Sequence, residues 1–480
     1  MASNVIRAVG DFQLATATII TSAGLEINIK PNIVQLTLFE DCQRNSISGE
    51  ITVQDSAGFV NEAPIIGQEY LQLKIQTPSL KNRDDIIDFT ENVFVISSVQ
   101  SRGEVGNKVS IYVLTFTSSE LSKNQRTRVN GSVTGTYSEI VEQMMSRVDC
   151  QKRIFVEPTK GVKRIVAPNI SPFGVIGQAL SNATSAQSDN FSPSYLFYET
   201  FKGYHFRSLA SLYAQPVRQT YTSYTPGSQV LKGGIVDIER ELGNILGYEI
   251  VDNSNSLYNY TTGVLGSKLI VHNIYSKSFN EYHYNYFDSF DNEQHITKYH
   301  NKKQYPIFSD VSIEKGGVRS SDFASRTYLS SISMGETDTN NTTSDGTEPF
   351  AAADPQNSLQ ERASTMNQLD KGLVINIATH GNTSINAGDI VKLDVPHIAA
   401  YKTGAKPKND RFYQGVFMIK RIKHEFSFTD KKHTSFITLV KDSLEEKLEG
   451  PKDLKEPKPE QEPEIIRNKE IFYPPLKPFQ

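Results

Sequence analysis

Two stretches near opposite ends of this 480-residue chain alternate apolar and polar residues, and no other feature constrains the fold as tightly. They run from about Val34 to Phe116 and from about Gly372 to Val440. Leu71, Leu73 and Ile75 interleave with Gln72, Lys74 and Gln76; Val391, Leu393 and Val395 interleave with Lys392, Asp394 and Pro396. A β-strand sends successive side chains to opposite faces, so the pattern predicts sheets with one wet and one dry face. Two such modules in one subunit predict a pseudo-repeat, which suits a component of a ring.

The chain is too long for one ordinary core, and its length predicts about three domains. Lys and Arg number 50 against 54 Asp and Glu, a formal charge of −4. With no basic excess to neutralise phosphates, gripping nucleic acid is not its main task. Cys42 and Cys150 lie far apart in no ligand spacing and read as idle thiols of a protein made in a reducing cytoplasm. The N-terminal residues carry no basic segment followed by an apolar core, so no signal peptide is expected. No run approaches the roughly 18 apolar residues of a membrane helix. A soluble protein with no integral membrane segment is expected, and the Asn-x-Ser/Thr triplets at Asn130, Asn182, Asn259 and Asn382 read as chance matches.

The first module, 1–118, is expected to hold six strands: Phe12–Thr21, Ile33–Glu40, Gly49–Asp55, Tyr70–Gln76, Asn92–Ser101 and Lys108–Thr117. Asn45, Ser48-Gly49, Pro78, Gly103 and Gly106-Asn107 are read as the turns between them. Such an order suits a barrel or a tightly curled sandwich. The next block, 119–210, changes period and reads as a small α+β domain. Thr136–Val148 places Ile140, Val141, Met144, Met145 and Val148 on one helical stripe, with Ser138 as the expected cap. Ser171–Asn182 repeats the device, with Ser171 as N-cap and Pro172 at the first helical position. Strands are expected at Ser194–Glu199 and Gly203–Ser208.

Residues 211–333 read as irregular β, part of which completes the second module, and 334–355 as a mobile acidic loop. The block 356–448 opens with a helix over Gln356–Leu369, closed by Gly372 as a left-handed cap, and continues into the second alternating module. The segment 449–480 holds seven of the 21 prolines and cannot bury a core, yet it carries Ile465, Ile466, Ile471, Phe472, Tyr473, Leu476 and Phe479. It reads as a semi-rigid arm with a partner-docking peptide, the alternative being a tail folded onto its own domain.

A search for chemistry returns no catalytic, cofactor-binding or metal site. The chain has no Gly-rich loop leading to Lys-Ser/Thr, no HExxH, no GxSxG and no EF-hand loop. His397, His424 and His433 are irregularly spaced on strands, and satisfied histidines explain them better than ligands do. The acidic groups Asp84-Asp85-Asp88 and Glu239-Glu241 sit among other charges, with nothing to mark them as the desolvated pair of a glycoside hydrolase. Tyr282, Tyr284 and Tyr286 alternate along one arm. Such a row could stack on sugar rings, but is read here as interface aromatics.

Two runs resemble the central baseplate hub proteins of contractile-tailed phages, in particular the T-even type. Cys42–Ser56 (CQRNSISGEITVQDS) looks like the hub's first barrel. Ser384–Val395 (SINAGDIVKLDV) and Phe412–Phe428 (FYQGVFMIKRIKHEFSF), with Lys432–Val440 pairing back and Asp442–Leu448 as a short helix, look like its closing barrel. The resemblance rests on the order of blocks over most of the chain, and no single motif is diagnostic. It implies an α+β, mainly β fold, with tail-tube-like β-barrel domains at the chain ends, a mixed α+β middle and an extended C-terminal tail. It also implies a non-enzymatic homotrimer whose six barrels form a pseudo-sixfold ring in the virion baseplate, assembled in the host cytoplasm. The implied partners are a central spike protein, with or without a cell-wall hydrolase domain, a tail tube or tube-initiator protein, and baseplate wedge proteins. DNA would pass without specific binding, and no cofactor is implied. Two alternatives stay open: a receptor- or glycan-binding tail protein, and a hub-like part of an injection or secretion spike.

Overall fold

The computed structural model describes residues 8–56, 58–59, 65–78, 85–105, 109–187, 193–223, 237–253, 255–274, 277–300, 303–309, 319–332, 355–396 and 410–448. The first alternating stretch forms β1 (Gln13–Ile20), β2 (Glu26–Asn28), β3 (Ile33–Asp41), β4 (Ser48–Asp55), β5 (Tyr70–Gln76), β6 (Ile87–Val105) and β7 (Val109–Ser118). All six expected strands are present, and β2 is added. Two expected turns are corrected. Gly103 lies inside β6, and Ser48-Gly49 lies inside β4. Gly49 serves close packing there, since a Cβ would stand 2.3 Å from the Phe116 ring.

The middle of the chain packs helices Ser119–Arg126, Tyr137–Arg147 and Pro172–Asn182 with β8 (Val129–Gly135), β9 (Ile154–Val156), β10 (Lys163–Ile170), β11 (Tyr195–Thr200) and β12 (Gly203–Ser208). The helical stripe lies inward as expected: Ile140, Val141, Met144 and Met145 are all buried. Ser171 caps its helix by accepting from the Gly174 N–H. Ser138 does not cap the other one. Thr136 does, in a reciprocal box with Glu139, because Glu139 stands three residues after Thr136 and can reach back to its N–H.

The later elements are β13 (Val217–Thr222), β14 (Ile245–Asn253), β15 (Gly266–Asn273), β16 (Ser278–Asn285), β17 (Tyr305–Pro306), β18 (Arg326–Ile332), β19 (Leu373–His380), β20 (Ile390–Asp394), β21 (Gly415–Ser427), β22 (Lys432–Lys441) and β23 (Ser443–Leu444). The expected helix before β19 is a π-helical turn, Gln356–Glu361, followed by an α-helix, Arg362–Lys371. Gly372 is not left-handed (φ −73°). It is small because a Cβ would lie 2.4 Å from the Gln368 carbonyl oxygen. The short helix expected at Asp442–Leu448 is replaced by β23, which pairs with β17. The loop expected at 334–355 lies outside the described residues except for Pro355. No helix among the described residues is long and apolar enough to cross a membrane.

The two alternating modules form one sheet. Its strands run β14-β19-β22-β21-β3-β4-β7-β6-β5-β1-β2, with β20 and β13 attached beside β21. The order β3-β4-β7-β6-β5-β1 of the first module recurs as β14-β19-β22-β21-β20-β13 in the second. Even a register shift repeats, at Ile96/Ser98 in β6 and Ile419/Arg421 in β21. The repeat departs at its last strand: β1 is antiparallel to β5, whereas β13 is parallel to β20.

The chain is thus mainly β, with helices concentrated in the middle. Neither module closes into a barrel on the described residues; β3 of the first module pairs instead with β21 of the second. Their cores interlock at that joint. Phe426 of β21 packs in the first module's apolar cluster, and Cys42, just after β3, packs in the second's.

Candidate functional site

Alternation places one face of this sheet over the apolar cores and leaves the other polar. Along β3, Leu36, Leu38 and Glu40 are buried beneath the sheet, while Gln35, Phe39 and Asp41 belong to the opposite face. Pairing sets the polar face in rows that cross the module boundary. One row is Glu249, Asn376, Thr438, Arg421 and Asp41, on β14, β19, β22, β21 and β3. The next runs Ala378, Phe436, Lys423, Phe39, Ser48 and Thr117. A third runs Thr434, Glu425, Thr37, Glu50, Thr115 and Ser98. A concavity of about 800 Å³ lies over these rows, with Arg44, Glu50, Glu249, Arg421 and Phe436 among its walls.

The charges on this face neutralise one another. The Arg421 guanidinium lies 2.7 Å from Asp41, and Lys423 lies 2.7 Å from Glu425, with its ammonium 5.2 Å from the centre of the Phe436 ring. Glu50 and Glu249 add negative charge to the same rows. Such ion pairs add little stability at an exposed face. Their consequence is chemical: cations already facing carboxylates make poor phosphate clamps.

Three buried polar joints hold the face in shape. Lys420 sits in the β21 register shift, where β21 changes partner from β20 to β3, and donates to Asp370 at 2.6 Å. Glu40 lies under the same joint and accepts from the Phe201 N–H (2.7 Å), the Ala387 N–H (2.8 Å) and the Asn386 amide (3.3 Å). Burial pushes its carboxyl up to about 8, against the pull of these three donors. Lys152 ties the first module to the middle of the chain. It donates at 2.6 Å to both Glu120 and Glu199, and Glu199 also accepts from the Ile47 N–H and the Ser118 hydroxyl. Burial alone would depress Lys152, but the two carboxylates outweigh it and raise the ammonium above its usual range.

The residues singled out by chemistry scatter. Asp85 pairs with Arg218 at 2.8 Å, and Asp88 with Lys74 at 2.6 Å. Burial would raise Asp88, but hydrogen bonds from Lys74 and Thr90 hold it below the usual range, so it is no proton donor. Glu241 is buried and accepts from the Asn244 amide. Asp84, His397 and the Glu239 side chain lie outside the described residues. His424 and His433 meet in the core at 3.0 Å. Burial lowers His424 to about 3 and His433 well below its ordinary value, so both are neutral. No group of three metal-ligating side chains occurs among the described residues.

The tyrosine row is corrected as an outward-facing set. Tyr286 is fully buried, and Tyr284 is buried with its hydroxyl donating to Glu293 at 2.8 Å, leaving Tyr282 half-buried. The strand ends at Asn285, which caps a helical turn beginning at Tyr286, so the alternation does not continue. The apolar residues of the tail, Ile465, Ile466, Ile471, Phe472, Tyr473, Leu476 and Phe479, lie outside the described residues. The residues that sequence reading missed are Glu40, Lys152, Glu199 and Lys420. For Glu40, Glu199 and Lys420 the signal was a charge at a buried strand position, visible for Glu40 as an acid in the phase of Leu36 and Leu38; Lys152 lies on the bend before β9 and gave none.

No family model matches the chain, and no curated protein matches it. The solved structures similar to it include phage tail and baseplate proteins and components of secretion machines. A tail protein from Neisseria meningitidis MC58 aligns over 90% of this chain and 97% of its own, with 10% identity and a TM-score of 0.46. The 43 kDa tail protein of prophage MuSo2 from Shewanella oneidensis aligns over 89% and 98%, with 9% identity and a TM-score of 0.44. The E. coli c3393 protein, a component of the type VI secretion system, aligns over 90% and 76%, with 9% identity and a TM-score of 0.36.

Proposed function

We propose that this chain is a structural baseplate-hub subunit of a contractile phage tail. Three copies make a pseudo-sixfold ring that joins a sixfold tail tube to a threefold spike. One observation carries the reading: the same six-strand order occurs twice in one continuous sheet. A subunit with two equivalent modules offers six module positions from three copies, which reconciles a sixfold neighbour with a threefold one. The polar face of the sheet lines the central passage. Its paired cations and excess carboxylates let DNA slide without holding it.

The role requires no catalytic group, metal or cofactor; the partners are a central spike, a tail tube or tube-initiator protein, and wedge proteins of the virion baseplate. The glycan-binding alternative loses its main support with Tyr284 and Tyr286 in the core. Solution mass tests the reading: the purified chain should run at about 160 kDa, as three chains of 53.7 kDa. A lasting monomer that binds glycans would sink it.

The tail 449–480 is proposed as the arm that docks on a partner through Ile465, Ile466, Ile471, Phe472, Tyr473, Leu476 and Phe479. Removing residues 450–480 should leave the ring a trimer and weaken spike or tube capture. Loss of folding on the same deletion would assign the arm to its own domain instead.

A further inference from the structure

The joint between the two modules has an equivalent pair of strands elsewhere in the same chain. In the repeat, β14 stands where β3 stands, and β6 stands where β21 stands. Glu249 of β14 faces Asn376 as Thr37 of β3 faces Glu50. Asn376 faces Thr438 as Glu50 faces Thr115, and Thr438 faces Arg421 as Thr115 faces Ser98.

The second half of β21, Arg421–Ser427, receives β3 along the edge that its first half gives to β20. The matching edge of β6 receives β5 only as far as Val95. Beyond that point, no strand among the described residues pairs with that edge, and none pairs with the outer edge of β14. Among the described residues, each chain thus has one joint made internally and one equivalent pair of edges left open, on β14 at one end of the sheet path and on the far half of β6 in the first module.

Burial follows the same logic. At the internal joint Leu36 and Leu38 of β3 and Ile422 of β21 are all buried to within 1%. Their counterparts at the open edges are Tyr248 and Ile250 of β14 and Val99 of β6. Ile250 is 38% exposed, Val251 beside it is 50% exposed, and Tyr248 and Val99 are only half-buried. Strand directions also agree: every pairing along the path from β14 to β6 is antiparallel, so the two strands run in opposite senses, as β3 and β21 do.

We infer that β14 of one copy adds to the open half of β6, residues 98–105, of a second copy of this chain, reproducing the β3–β21 joint between subunits. The contact is head-to-tail, so repeating it builds a ring rather than a closed pair. It also covers the two open sheet edges that would otherwise template aggregation. The inference rests on the ring reading above and adds which edges meet.

Two full-length variants test it: Ile250→Lys spoils only the β14 edge, and Val99→Asp only the β6 edge. Each should run as a single chain of 53.7 kDa, with a circular dichroism spectrum matching that of the wild type. Mixing the two should give a dimer and nothing larger, since one good β14 edge and one good β6 edge remain. Rings that persist in both folded variants would overturn the edge assignment and leave the ring reading standing. A monomeric wild type would overturn both. Should either variant misfold, Ile250→Ser and Val99→Ser, probed by dilution-induced dissociation of the ring, give the same decision: unchanged dissociation refutes the assignment.

Discussion

Lys152→Met is expected to cost about 3–5 kcal/mol of folding stability, the range for removing one partner of a buried ion pair. The side chains of Lys152, Glu120 and Glu199 are exposed by 6%, 2% and 0%. Methionine fills the volume of the lysine stem but leaves two carboxylates facing each other without a counterion. Glu199 cannot turn away, because it also accepts from the Ile47 N–H at 2.9 Å and the Ser118 hydroxyl at 2.5 Å. The loss should therefore appear at the junction of the first module with the middle of the chain. Denaturant unfolding of the variant would measure it, and adding Glu120→Gln should recover part of the loss by removing one of the two charges. A midpoint equal to the wild type's would mean that the triad is not buried as described.

Glu40→Ala is expected to cost a comparable amount at the other joint, about 3–5 kcal/mol if three buried donors lose their acceptor at 1–3 kcal/mol each, with partial relaxation. The three donors come from two places in the chain: the β11–β12 turn through the Phe201 N–H, and the loop before β20 through the Asn386 amide and the Ala387 N–H. Glu40 also gives the stability a pH dependence of defined sign. Its carboxyl is raised from 4.5 to about 8, so between those values the folded chain holds a proton that the unfolded chain has released. Stability then falls as pH rises through that window, and this group adds no slope above it. Glu293, raised by burial to about 7, contributes in the same direction. The difference between wild type and Glu40→Ala isolates the Glu40 part: the variant should show the shallower decline from about pH 5 to 8. A steeper decline in the variant would refute the assignment.

Much of the fold was legible because a period of two is a local signal. The strands of both modules follow directly from runs such as Tyr70–Gln76, and the Ser171 cap from its Ser-Pro pair. What was not legible depends on partners hundreds of residues away. Arg421 against Asp41 is a register between distant strands, and no local pattern announces that β3, paired with β4 on one edge, joins β21 on the other. The same limit explains Gly49 and Gly372. Each was read as a turn or cap from its conformational freedom, whereas each is small because Phe116 or the Gln368 carbonyl occupies the space of a Cβ. The tyrosine row misled because the strand stops at Asn285, after which Tyr286 turns into the core on a helical turn. The polar face was implicit in the alternation, but its continuity across both modules needed the sheet order.

The claim that two like modules per chain build a pseudo-sixfold ring is tested most directly by electron-microscope class averages of the purified full-length protein. Three chains per particle are expected, with six lobes around an open centre and alternating lobes slightly different. A lasting monomer, or a ring whose lobes are not twice its chains in number, would contradict it.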